Sequence, residues 1–165
     1  MKGCILAIKN KSWKSWLIRK AIKCDYNHVG IFVDNERIVE STFKGVYITP
    51  FEVFKKKKEK GEIYDYAVFE VIGISEEQKE KVAEYALGEV GNKYDLVQFF
   101  NIALFLFLNI ARIVEPIDIR HAWVCSELVA EAYDSVGIRF TEDVDPDLIT
   151  PADIVCSKLV RRINA

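Results

Sequence analysis

The clearest periodic pattern of apolar residues lies in the last third of the chain. It repeats with helical spacing from Leu128 onward and predicts a buried helix that ends at Gly137. The apolar stripe consists of Leu128, Val129, Ala132 and Val136. Cys125 stands just before these positions, so this helix carries a cysteine in its first turn.

Short segments of apolar or alternating residues predict several strands. Two of them, residues 28–33 and 37–42, are separated only by residues 34–36 and are typical of a β-hairpin. A third strand follows them and ends at Pro50. The predicted strands comprise residues 3–8, 28–33, 37–42, 45–49, 62–72 and 155–163.

Residues 12–23 have the pattern of an amphipathic helix, in which Trp13, Leu17 and Ala21 share an apolar stripe. The basic residues that face elsewhere are Lys14, Arg19, Lys20 and Lys23. Such a helix is either an ordinary surface helix with a solvated face or a contact for a membrane surface or an anionic substrate.

Other local signals mark helix ends and loops. Ser75 and Gln78 have the spacing of a capping box, which predicts a helix that runs to about Val90. Thr150-Pro151 predicts a short capped turn. The lysine-rich residues 55–60 are interpreted as a charged, solvated loop.

Composition and charge favour a single-domain protein and argue against a nucleic-acid-binding one. The chain has 165 residues, half of them hydrophobic, which favours a single domain over residues 1–165. The net charge of −2 lacks the basic excess of nucleic-acid-binding proteins. The four cysteines show no CxxC spacing and the N-terminal residues lack a secretory signal, so we expect free thiols and a cytoplasmic location.

Cys125 is the candidate nucleophile. The unpaired N–H groups of a first helical turn and the helix dipole favour a thiolate over a thiol. The same N–H groups suit a developing oxyanion. The alternative interpretation is a small buried core cysteine, which is the usual role of an unpaired cysteine.

A cysteine nucleophile needs a base, and the base needs a group that orients it. His28 opens one strand of the hairpin and Glu40 lies near the end of the other, so a shared face would bring them together. His121 is the other histidine and is interpreted as an exposed loop residue. Two histidines and dispersed cysteines give no metal-ligand spacing, so we expect neither a metal nor a cofactor.

Five short motifs in this order resemble the circularly permuted, NlpC-type branch of the papain-like cysteine hydrolases. Within that branch the chain is most similar to the YiiX/YebB group, whose wider kin include lecithin:retinol acyltransferase-like enzymes. The motifs are Asn27-His28-Val29-Gly30-Ile31, Val39-Glu40-Ser41 with Gly45-Val46, Gly91-Asn92-Lys93-Tyr94-Asp95, Val124-Cys125-Ser126-Glu127-Leu128 and Thr150-Pro151-Ala152-Asp153.

The resemblance implies an α+β, papain-like fold in which an antiparallel sheet packs against helices. It further implies Cys125 as nucleophile, His28 as base and Glu40 as the orienting residue. Tyr94 and Ser126 are assigned to binding of the substrate or the oxyanion, although Tyr94 also fits a core or turn position. The expected chemistry is attack on an amide or ester acyl group to give a thioester, followed by hydrolysis or acyl transfer.

Residues 96–114 are apolar and rich in aromatic residues, and they are long enough to span a bilayer. However, Tyr94 and Cys125 can share a site only if both ends of this stretch lie on one side, and residues 115–120 are too charged to recross lipid. We therefore expect a helical insertion that packs on the domain and leaves an apolar strip for a lipid-like ligand or for a second copy of the chain.

The substrate class therefore stays open between a lipid-like acyl group and a cell-wall peptide amide. The apolar stretch and the expected location favour the lipid-like group, with peripheral membrane contact through the basic residues. The alternative from another class is a non-catalytic lipid-binding or membrane-associated module.

Overall fold

A computed structural model describes residues 1–93, 124–141 and 149–163. Within these residues six strands form one antiparallel sheet in the order β4-β3-β2-β1-β5-β6. The strands are β1 (Ile5–Asn10), β2 (His28–Phe32), β3 (Arg37–Thr42), β4 (Gly45–Pro50), β5 (Ile63–Val71) and β6 (Val160–Ile163). The predicted hairpin is confirmed as β2–β3, and the closing strand is shorter than predicted.

The described helices flank this sheet. They are α1 (Trp13–Ile22), α2 (Phe51–Glu59), α3 (Glu76–Gly88), α4 (Cys125–Asp134) and α5 (Pro151–Val155). The predicted α+β class, an antiparallel sheet with helices packed against it, is confirmed.

Strand alternation places a separate core on each face of the sheet. One core joins Val29, Ile31 and Val39 to α3 and α4, where Leu128 and Val129 are fully buried. Each such side chain stabilises the fold by about 1.5–3 kcal/mol when it leaves water. Truncation of Leu128 to alanine would therefore cost about 2–5 kcal/mol, because a cavity would remain.

The second core lies on the opposite face, where Leu6, Phe32 and Ile38 pack against Phe51 and Phe54 of α2. The ring of Phe51 meets that of Phe32 edge to face at 5.0 Å. This second core contains fewer residues than the first. His28 and Glu40 point toward the same face, because alternate residues of a strand share a face with Phe32 and Ile38.

The loop predicted at residues 55–60 is wrong, since most of these residues belong to α2. Phe51 and Phe54 lie one turn apart and are buried, so they anchor the helix to the sheet. The lysines that follow cover aromatic rings with their charged ends, as Lys57 does over Phe54 at 5.4 Å. The run of lysines therefore predicted a loop where burial of Phe51 and Phe54 stabilises a helix.

The predicted caps are confirmed. The Ser75 hydroxyl accepts from the Gln78 backbone N–H at 3.1 Å, and the Gln78 side chain accepts from the Ser75 N–H at 3.0 Å. The helix ends at Gly88, slightly before the predicted Val90. At the start of α5, the Thr150 hydroxyl accepts from the Asp153 N–H at 3.4 Å, with Pro151 at the first helical position.

Contacts with other elements hold the C-terminal end of α4 in place. Its Tyr133 hydroxyl donates to the backbone carbonyl of Gly3, and the Tyr133 ring meets Phe140 edge to face at 5.0 Å. The Gln78 side chain of α3 donates to the Val136 carbonyl at 3.1 Å. These contacts fix the direction in which the first turn of α4, with Cys125, points.

Tyr94, His121 and the apolar stretch at residues 96–114 lie outside the described residues, so their assignments stay predictions. Among the helices that the structure describes, none combines the length and the apolar character needed to cross a bilayer.

Candidate active site

The sheet opens between β2 and β3 at the end where His28 lies. Ile31 pairs with Val39 and Phe32 with Ile38, and the Val33 N–H donates to the Arg37 carbonyl at 3.0 Å. Toward His28 this ladder is not continued. The Val29 N–H donates instead to the sulfur of Cys125. The opening thus brings the first turn of α4 into hydrogen-bonding contact with the backbone of β2.

Gly30 allows the two strands to approach closely just before they separate. A Cβ atom at this position would lie 2.8 Å from Ile38 Cγ2, 3.0 Å from the Val39 carbonyl oxygen and 3.3 Å from Glu40 Cβ. Any other residue would push β3 away from β2. The glycine therefore sets the distance at which Glu40 reaches across to His28.

Glu40 links His28 to the sheet through both of its carboxylate oxygens. Its Oε2 lies 2.6 Å from His28 Nε2, and its Oε1 accepts from the Thr49 hydroxyl at 2.6 Å. The two side chains of the pair are only 15% and 7% exposed, so water screens their contact weakly.

The pKa values of Glu40 and His28 show which of these hydrogen-bonded groups are charged. Burial alone would raise the pKa of Glu40, but hydrogen bonds from His28 and Thr49, together with the positive charges of His28 and Lys57, lower it. Burial alone would lower the pKa of His28, but the Cys125 sulfur and Glu40 raise it to about 10. Glu40 is therefore ionised and His28 is cationic at neutral pH.

Cys125 completes the chain of contacts. Its side chain is 7% exposed and hydrogen-bonds with His28. Because Glu40 occupies Nε2, Nδ1 is the ring nitrogen that remains for the sulfur. Burial would raise the pKa of Cys125, but the His28 charge and hydrogen bond, and then the N–H groups of Val29 and Ser126, lower it. The lowered pKa of Cys125 and the raised pKa of His28 both favour a thiolate beside an imidazolium.

Ser126 contributes to this site through its backbone. Its N–H donates to the Cys125 sulfur, whereas its hydroxyl donates to the Ile149 carbonyl at 2.7 Å. That side-chain bond ties the start of α4 to the segment before α5. Val124 precedes the helix without a side-chain cap, which leaves first-turn N–H groups for the site.

A groove of about 640 Å³ opens in front of the sulfur. His28, Glu40 and Cys125 all line it, and Lys57 contributes a cation. Apolar side chains dominate the wall formed by α1 and the strand before it. They are Ile8, Trp13, Leu17, Ile18, Ala21 and Ile22.

Arg19 does not belong to the exposed basic face predicted for α1, because its side chain is buried and holds the helix to the sheet. Its guanidinium donates to the Asn10 carbonyl and, at 3.5 Å, to Asn27 Oδ1, and it stacks over the Tyr64 ring at 5.6 Å. Since α1 attaches through a polar residue, its apolar residues remain available to the groove and the surface.

The sequence interpretation missed three contributors to the site: Thr49, the Val29 N–H and Arg19. Thr49 had a usable signal, because it shares a face with Glu40 two positions along the paired strand. The other two depend on tertiary contacts that no local pattern contains. Within the described ranges, no cluster of three or more histidine, cysteine, aspartate or glutamate side chains is placed to hold a metal ion.

Comparison with solved structures places this arrangement in a known fold. The chain is similar to the crystal structure of the metalloprotein YiiX from Escherichia coli O157:H7, with a TM-score of 0.70 and 22% sequence identity. The similarity covers 99% of this chain and 96% of that one, and it confirms the permuted papain-like fold. No curated protein sequence matches the chain.

A family model matches residues 2–104, a stretch that contains His28 and Glu40 and ends before Cys125. Its description is the permuted papain-like amidase enzymes YaeF/YiiX, C92 family. The predicted resemblance to the YiiX branch is confirmed. The chain belongs to this C92 family, and its activity is of the cysteine hydrolase type.

Proposed function

We propose that the protein hydrolyses an amide or ester bond of a substrate with an apolar acyl group, with Cys125 as nucleophile, His28 as acid and base, and Glu40 as the orienting residue. The observation that carries this proposal is the unbroken line of contacts from the Cys125 sulfur through His28 and Glu40 to Thr49. Cys125, His28 and Glu40 line the groove.

The resting charges suit the first half of the reaction. The Cys125 thiolate attacks the acyl carbon and forms a C–S bond, and the carbonyl oxygen becomes an oxyanion. As the tetrahedral intermediate collapses, the C–N or C–O bond breaks and His28 transfers its proton to the leaving nitrogen or oxygen. The products of this half are a thioester on Cys125 and a free amine or alcohol.

The second half restores the pair. Neutral His28 takes a proton from a water molecule while the water oxygen attacks the thioester carbon. The C–S bond then breaks, the thiolate returns and the carboxylic acid leaves the groove. Glu40 keeps its charge throughout, so it stabilises the imidazolium at the start and at the end of each cycle.

Ser126 supports the oxyanion step through its backbone. Its N–H already faces the sulfur at the N-terminus of α4, which is the side on which the oxyanion forms. Tyr94 is proposed as a second donor on the basis of the motif that contains it. A missing oxyanion donor typically costs about 10²–10³ in rate, so each donor has a measurable effect.

The lining of the groove supports the choice of an apolar acyl group. The wall from α1 consists mainly of aliphatic and aromatic side chains, with Lys14 and Ser15 as its polar members. A polar peptide would leave most of its own amides without partners there. Lys57 lies in the same groove and suits a negatively charged or strongly polar end of the substrate.

The test is a mass measurement on the intact protein after incubation with short-chain and long-chain acyl amides and esters. We expect an acyl adduct with long chains, located on Cys125 and absent from Cys125→Ala. Cys156→Ala is the matched control, because Cys156 is an exposed cysteine outside the groove lining. Muropeptide amides form a separate arm.

The results with acyl substrates and with muropeptides distinguish an acyl hydrolase from the other candidate functions. Turnover of muropeptides with no adduct from any acyl chain would overturn the acyl proposal and favour a cell-wall peptide amidase. Binding of long-chain ligands with no adduct and no product would favour a non-catalytic module. An adduct that passes to an added alcohol or amine faster than to water would identify a transferase.

A further inference from the structure

Helix α1 has the reverse of the usual surface-helix arrangement. Its polar Ser15 and Arg19 are buried, whereas Trp13 is 69% exposed and Trp16 is 52% exposed. Tryptophan rings are amphipathic and are enriched at the boundary between water and lipid. Two of them on the outside of one short helix therefore indicate a contact surface.

A second element adds an aromatic residue to the same region. Phe43, in the tight turn between β3 and β4, is 66% exposed. Phe43 and Trp13 both line the groove, although they come from different parts of the chain. The mouth of the groove is thus bordered by exposed aromatic rings.

The charge around these rings is positive, although the whole chain carries −2. Residues 1–24 contain basic residues and no aspartate or glutamate. Lys14 and Lys20 of α1 are exposed, and Lys44 is the exposed neighbour of Phe43. A positive, aromatic rim complements an anionic lipid surface, because lysine stems follow the apolar layer while their ammonium groups reach the phosphates.

We propose that α1 and the β3–β4 turn dock on the surface of an anionic lipid bilayer, with Trp13, Trp16 and Phe43 in the interface. In this orientation the groove opens toward the lipid, so an acyl chain passes from the bilayer to Cys125 without crossing water. The docking itself does not depend on catalysis. A protein whose Cys125 cannot react would dock on the bilayer in the same way.

The experiment uses full-length Cys125→Ala protein, which cannot consume lipid, and sedimentation with vesicles. We expect binding to vesicles of phosphatidylglycerol and phosphatidylcholine, much weaker binding to phosphatidylcholine alone, and loss of binding as salt rises. Trp13→Ala combined with Trp16→Ala should weaken binding by about tenfold or more. Lys14→Glu combined with Lys20→Glu should abolish the preference for anionic vesicles.

Ile72→Ala and Lys158→Glu are the matched controls, since both residues are exposed and neither lines the groove. Equal weakening by the controls would overturn the proposal, as would the absence of binding to anionic vesicles. Loss of a dimer in the tryptophan variants, with lipid binding unchanged, would show that the surface serves a second copy instead. Acyl-adduct formation by the wild-type protein is measured separately, so a failure of docking leaves the proposed chemistry intact.

Discussion

The Glu40 carboxylate lies 2.6 Å from His28 Nε2, and its second oxygen is occupied by the Thr49 hydroxyl at the same distance. His28 therefore has a fixed, ionised partner on one side and the Cys125 sulfur on the other. The charges in this line, and the attachment of α1 beside it, determine how the protein responds to pH and to substitution.

Glu40→Gln should lower the pKa of His28 from its value of about 10. The amide keeps the shape of the side chain but removes the charge, and a hydrogen bond to a charged group contributes about 1.5–3 kcal/mol. This corresponds to a decrease of about 1 to 2 in the pKa. An NMR titration of the His28 ring measures it, and an unchanged titration would show that Glu40 does not stabilise the imidazolium.

Thr49→Val should reduce turnover by about tenfold, which is a barrier increase of about 1.4 kcal/mol. Thr49 lowers the pKa of Glu40, so without its hydroxyl this pKa rises and Glu40 stays ionised only at higher pH. The acid limb of the pH–rate profile should therefore move upward. Thr49→Ser keeps the hydroxyl and should restore the profile, whereas a lowered rate with an unmoved acid limb would mean that Thr49 acts only through packing.

Cys125 should be the cysteine that iodoacetamide alkylates fastest near neutral pH. Its pKa is lowered by His28, whereas burial raises the pKa values of Cys4 and Cys24. Mass mapping of the labelled sites measures the four rates. Faster labelling of Cys156, the exposed cysteine, would contradict the prediction.

His28→Gln should remove this fast labelling at neutral pH, because the thiolate loses its positive neighbour. His121→Gln is the control, and it should leave the rate nearly unchanged. The reverse result would mean that the base is assigned to the wrong histidine.

The Cys125–His28 pair should stabilise the fold over a defined pH range. Below 6.5 the unfolded chain holds protons on both Cys125 and His28, whereas the folded pair holds only the His28 proton, so the stabilisation disappears as pH falls through the lowered pKa of Cys125. Between 6.5 and 9.0 both states hold the same number of protons, and the contribution is flat. Above 9.0 it falls as pH rises through about 10, where His28 loses its proton.

Denaturant unfolding of the wild type and of the double variant His28→Gln, Cys125→Ala across this range gives the difference in unfolding free energy. A plateau with a decline on each side is the expected result. A difference that changes steadily between 6.5 and 9.0 would show that the folded pair does not hold a single proton throughout this range.

Arg19→Ala should release α1 from the sheet, because the variant loses the buried guanidinium that donates to the Asn10 backbone carbonyl and to the Asn27 side chain. We expect kcat/KM for long acyl chains to fall by about tenfold while alkylation of Cys125 stays unchanged. Arg139→Ala is the control, since Arg139 is exposed and pairs with Asp134. An equal loss for short-chain substrates would mean that α1 does not form the acyl wall.

Local patterns predicted much of this architecture. The hairpin that joins His28 and Glu40 and the helix that begins at Cys125 both follow from periodicity, and the structure brings the three side chains into one line. This works because each side chain sits at a defined place in a regular element. The order of the short motifs added the assignment of roles, which neither periodicity nor composition supplies.

Tertiary contacts decided what the patterns missed. The lysines after Phe54 suggested a loop, yet two buried phenylalanines make the segment helical. The helical pattern places Arg19 with the basic residues outside the apolar stripe, yet Asn10 and Asn27 provide buried partners that no local window includes. Both errors share one cause: long cationic side chains pack by their stems as well as by their charge.

The departure of β2 from β3 at Val29 gives the protein an internal reporter. Because the Val29 amide donates to the Cys125 sulfur rather than to a strand, its hydrogen exchange and chemical shift respond directly to the state of that sulfur. A thiolate, a thioester and an alkylated sulfur accept hydrogen bonds with different strength. One backbone resonance in β2 can therefore follow each stage of the reaction on the unmodified protein, without a label on the substrate.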